Sequence, residues 1–119
     1  MFLKEVVPYS EKVKVRFALD PTMPELKNGV ELVKNGDLLI AADTFRVACE
    51  NYSAHPEVHK AWYNLGLVNM YSFQFPDAPE ALRKASELSP NPLYVEAIAK
   101  CDTLEKNYIR IKKTNTIEK

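Results

Sequence analysis

His59-Lys60-Ala61-Trp62-Tyr63-Asn64-Leu65-Gly66-Leu67-Val68-Asn69-Met70-Tyr71, then Asp77-Ala78-Pro79-Glu80-Ala81-Leu82-Arg83-Lys84-Ala85, closed by Ser89-Pro90-Asn91-Pro92, is the most informative run of this chain. Apolar residues recur every three to four positions in both halves, the period of a helix face. Ala78, Leu82 and Ala85 share one such face. Small residues there let two helices approach closely, and the large one between them fills the gap.

The run has a counterpart upstream. A constant offset of 37 residues places Gly29 on Gly66, Ala41 on Ala78, Phe45 on Leu82 and Ala48 on Ala85. Start and stop signals divide the surrounding chain. Thr22 with Glu25, and Asp77 with Glu80, have capping-box spacing, and Pro24 stands in a first turn. Asn35-Gly36 ends one helix and Asp37 can cap the next. Pro56, Pro76 and Ser89-Pro90 punctuate the second half of the chain, and Asn91-Pro92 caps and starts a last helix. These signals predict helices near 23–35, 38–54, 57–73, 77–88 and 92–112. Their short connections make consecutive helices antiparallel neighbours.

Trp62-Tyr63-Asn64-Leu65-Gly66, then Ala78, Leu82, Ala85 and Pro90, resemble the tetratricopeptide repeat (TPR) pattern without a gap. Two positions depart from it. Asn69 stands where the usual aromatic falls, and Phe73 stands at the usual glycine of the turn, so that turn is expected to lack a left-handed residue. The upstream copy keeps Gly29, Gly36, Ala41, Phe45 and Ala48, but has Glu25 for the tryptophan and Asn28 for the leucine before the glycine. The last helix, with Tyr94, Ala97, Ile98, Cys101, Leu104 and Tyr108, resembles a capping helix. The expected fold is therefore mainly all-α: a TPR-like antiparallel helix-pair solenoid of two repeats, about 22–58 and 59–92, plus a capping helix over 92–112 and a polar tail over 113–119.

The resemblance implies a scaffold that binds a protein or peptide partner on a concave surface lined by the first helix of each pair. The positions it marks are Met23, Leu26, Val30, Val33 and Lys34, then Lys60, Tyr63, Leu67, Met70 and Tyr71, and in the last helix Tyr94, Ala97, Cys101 and Glu105. Asn64 lies beside them, but Tyr63 and Leu67 hold the places where a carboxylate clamp needs Lys and Asn. A groove of this apolar character suits an amphipathic helix or an extended apolar segment. It can equally be filled in cis by the N-terminal segment, where Phe2, Leu3, Val6, Val7 and Tyr9 cluster.

Residues 1–21 follow a different rule. Val13, Val15, Phe17 and Leu19 alternate with Lys12, Lys14, Arg16 and Ala18, the period of a half-buried strand. A lone strand needs a partner for its backbone. Pairing with a second copy in a homodimer, addition to a partner's sheet, or closure of an upstream β-domain in a larger protein, a layout like that of some bacterial envelope proteins, would each supply one.

Composition narrows the remaining classes. The 119 residues carry 16 basic and 16 acidic side chains, so no basic excess exists for nucleic acid or an anionic membrane surface. Three glycines leave no Gly-rich phosphate loop. Cys49 and Cys101 sit in apolar-periodic runs and read as buried thiols. No stretch has the roughly 20 apolar residues of a membrane span. The start lacks a signal-peptide pattern, which makes the cytoplasm the default compartment. His55 and His59 have two-histidine metal spacing, but Pro56 places His55 outside the helix and no third ligand is near, so both are expected at an exposed helix start. Carboxylates fall at helix starts and on polar faces, where they complement helix dipoles. No catalytic residue, cofactor or metal is expected.

Overall fold

The computed structural model describes residues 17–118, with side chains through Arg110. Five helices follow one another: α1 Pro24–Lys34, α2 Leu38–Asn51, α3 His59–Tyr71, α4 Asp77–Leu88 and α5 Pro92–Glu118. Among the described residues the fold is all-helical. Of the expected strand, residues 12–16 lie outside the described residues, and 17–20 adopt no regular secondary structure.

The helix boundaries differ from the sequence reading in three places. The second helix ends at Asn51 and the third begins at His59. Between them the chain turns on itself, with His55 N–H donating to Tyr52 O and Val58 N–H to His55 O. The last helix runs on to Glu118, because nothing after Pro92 supplies a glycine or proline stop. The capping boxes are not formed either. Thr22 Oγ1 donates instead to Asp20 Oδ1 at 2.5 Å, and Glu25 accepts from Tyr52 Oη at 2.9 Å. Neither Asp37 nor Asp77 makes a side-chain cap. Asn91 does cap, its Oδ1 accepting from Leu93 N–H at 2.8 Å.

Close packing within each helix pair is set by a glycine. Phe45 of α2 lies directly over Gly29 of α1, in the space a Cβ there would occupy. Leu82 of α4 lies over Gly66 of α3, where an added Cβ would stand 2.6 Å from its side chain and 3.1 Å from its backbone nitrogen. Ala41, Ala48, Ala78 and Ala85 flank these contacts, fully buried. The turns of the two pairs match as well. Gly36 has φ +86°, and Phe73, 37 residues on, has φ +57°. The second turn thus contains a left-handed residue after all, and the Phe73 ring stacks on Tyr108 of α5 at 5.5 Å.

Each helix packs on its sequence neighbours. Beyond those, α1 touches α3 and α3 touches α5, whereas α2 and α4 do not meet. The odd-numbered helices therefore form one continuous inner layer. The even-numbered helices lie outside it, separated by a gap with α3 at its base.

Candidate functional site

On the inner layer, most of the positions marked in the sequence are closed off. Leu26, Val33, Tyr63, Asn64, Leu67, Met70 and Cys101 are all but fully buried, and Val30 and Tyr94 nearly so. Tyr63 stacks on Tyr94 at 4.7 Å, and Tyr94 Oη lies 2.7 Å from His59 Nδ1. Burial, reinforced by the nearby Glu57 carboxylate, pushes the Tyr94 phenol up to about 12. His59 is accordingly a buried residue, not an exposed one. His55 accepts from Glu57 N–H through Nδ1 and lies 3.0 Å from Thr22 Oγ1 through Nε2. Lys34 stays exposed and ion-paired to Glu31, and Tyr71 is half-buried.

Part of this closure comes from the chain itself. Asn64 Oδ1 accepts from Ala18 N–H and Asn64 Nδ2 donates to Ala18 O, both at 2.8 Å. That is a strand-like pairing made by a side chain. Phe17 stacks on Phe45 at 5.7 Å, and Lys60 Nζ reaches Asp20 Oδ2 at 2.9 Å. Thr22 first, and Lys60 second, hold the Asp20 carboxyl far below the usual carboxylate range. Ala18 and Asp20 are thus tied to α3, and Phe17 to α2. No single-sequence signal marks Asn64 for this role, because its partner is 46 residues away and has no distinctive side chain.

The open surface is on the other side of α3. A groove of about 780 Å³ runs between α2 and α4, with Trp62, Leu65 and Asn69 of α3 at its base. Ala42 and Ala81 line it from either wall. Charged residues stand on the rims: Asp43, Arg46 and Glu50 on α2, and Asp77, Glu80 and Lys84 on α4. Arg46 is engaged by both Asp43 and Glu50. Lys84 Nζ lies 6.0 Å from the Trp62 ring centre, within cation–π range. At one end Leu39 is 70 % exposed and joins a second hollow bounded by Ile40, Ser72 and Gln74.

Burial pushes the Cys49 thiol up to about 12 and the Cys101 thiol up to about 11, away from the thiolate form. No group of three His, Cys, Asp or Glu side chains among the described residues could hold a metal ion. No described helix is long and apolar enough to cross a membrane. The chain matches no family model, no curated protein and no solved structure.

Proposed function

We propose that this chain is a two-repeat TPR-like unit, closed at one end by α5, and that it serves as a protein-interaction module and not as an enzyme. The observation that carries this reading is the equivalence of the two helix pairs at one offset: Phe45 over Gly29 and Leu82 over Gly66, with the left-handed residues Gly36 and Phe73 in matching turns. Continuous packing of α1, α3 and α5 supports a short solenoid, in which odd helices line one face. The two repeats fall short of the three that stacked repeats usually need, and α5 and residues 17–23 supply the missing cover.

The partner surface in this reading is the groove between α2 and α4. The inner face is occupied by residues 17–20 and by contacts between the odd helices, so its apolar positions are not free to receive another chain. The groove has an apolar base, a single tryptophan and charged rims, the usual division of a binding surface into core and rim. A photo-crosslinking residue placed at Leu39, in cells of the native host, is expected to trap one discrete partner, while the same residue at the exposed Thr103 of α5 traps none. No adduct at Leu39, or the same adducts at both positions, would contradict the reading.

A further inference from the structure

Asn69 is the unusual member of the groove. It is 9 % exposed, it lies at the base between the walls, and its carboxamide makes no hydrogen bond to any described residue. Among the described residues no fully buried side-chain polar atom lacks a partner, so the free amide opens into the groove. The fold does not require it: at the matching position of the first repeat the residue is Leu32, packed against the core. An occupant of the groove would cover this open amide, and one that supplies both a donor and an acceptor keeps it paired once water is excluded.

An extended backbone segment supplies both. A helix does not, because its N–H and C=O groups are already paired along its own axis. The same molecule contains a worked instance, in which Asn64 pairs with the N–H and C=O of Ala18. The rims add a charge preference. Four carboxylates, Asp43, Glu50, Asp77 and Glu80, stand against two cations. Arg46 is already shared between two of the carboxylates, while Asp77 and Glu80 have no ion pair among the described residues. A ligand with apolar side chains on one side and basic ones on the other matches base and rims together.

We propose that the groove between α2 and α4 binds an extended peptide segment of alternating apolar and basic residues. Asn69 pairs with its main chain, Trp62 and Leu65 receive its apolar side chains, and Asp77 and Glu80 face its cations. The inference rests on the interaction-module reading and specifies the ligand of that site.

Titration of the full chain with an end-blocked octapeptide alternating valine and lysine, followed by the fluorescence of Trp62, is the test. Binding is expected to shift the Trp62 emission, to weaken on raising the salt, and to be absent for the valine–glutamate octapeptide. Asn69→Leu should weaken it about tenfold, the loss of one to two hydrogen bonds. Asp77→Asn with Glu80→Gln, both at exposed positions, should weaken it several-fold and flatten the salt dependence. The double variant decides the matter if Asn69→Leu does not fold. Equal binding of the two octapeptides, unchanged affinity in the variants, a gain of helix by the peptide in circular dichroism, or a dimer mass in light scattering with no peptide uptake would each overturn the proposal. If neither octapeptide binds while a crosslinker at Leu39 still traps a partner, the ligand assignment falls and the module reading stands. If Leu39 traps nothing as well, both fall.

Discussion

Asn64 and Asn69 belong to the same helix and differ in one respect that matters, the presence of a partner. The Asn64 carboxamide is fully buried with both bonds made to Ala18. Asn64→Leu would strand the Ala18 N–H and C=O, so destabilisation of about 2–4 kcal/mol is expected in urea unfolding. Asn69→Leu should change stability by less than about 1 kcal/mol, since the position has no bond to lose and Leu32 fills its counterpart. Equal losses in the two variants would contradict this assignment. Gly66→Ala places a methyl against Leu82, at 2.6 Å from its side chain and 3.1 Å from its backbone nitrogen. A cost of about 1–3 kcal/mol is expected, and Leu82→Ala in the same chain should recover part of it by vacating the space. Strict additivity of the two substitutions would show that they do not touch.

Asp20 makes a separate prediction through pH. Its folded pKa lies far below its ordinary value of 3.8, so the unfolded chain takes up the proton first. The stabilisation is therefore present above about pH 4 and is lost as the pH falls below that toward the folded value. The urea midpoint of the native chain should drop more steeply on acidification from pH 5 to pH 2.5 than that of Asp20→Asn. Parallel curves would remove Asp20 from the account.

At the scale of elements, the two turns test the repeat. Gly36 has φ +86° with open space where a Cβ would sit, so Gly36→Ala registers backbone strain alone, about 1 kcal/mol. Phe73 adopts the same region with a bulky side chain, a cost of about 1–2 kcal/mol. Its stacking on Tyr108 returns about 0.5–1.5 kcal/mol. Phe73→Gly is thus expected to lie within about 1 kcal/mol of the native chain, and a loss above about 3 kcal/mol would show that the ring carries more than the stack. The turns also show what local patterns can and cannot report. Gly36 announces its conformation by its identity. Phe73 does so only through the offset from Gly36, because nothing in the identity of a phenylalanine marks a left-handed backbone. The capping boxes fail for a related reason: Thr22 and Glu25 meet the capping spacing, but Asp20 and Tyr52 compete successfully for their side chains.

At the scale of the molecule, five helices and the alignment of Gly29 with Gly66 were legible because periodicity and the 37-residue offset are local or internal properties of the chain. The state of the two faces was not. Leu26, Val30, Tyr63 and Leu67 are apolar whether a groove is open or filled, and only the folded chain brings residues 17–20 onto α3. The gap between α2 and α4 likewise depends on how far apart two outer helices sit, a quantity no spacing encodes. Its mark in the sequence was Asn69, a polar residue where the resembled pattern has an aromatic and where the other copy has Leu32.

Among the described residues, an inner face covered in part by residues 17–20 and an open groove between α2 and α4 are the two surfaces of this molecule. The side-chain amide signals of Asn64 and Asn69, in a nitrogen–proton correlation spectrum of the full chain, report on both at once. An Asn64 carboxamide shielded from exchange with water is expected, together with an Asn69 carboxamide that exchanges freely and shifts when the valine–lysine octapeptide is added. A freely exchanging Asn64, or an Asn69 shielded in the chain alone, would contradict that division of the surface.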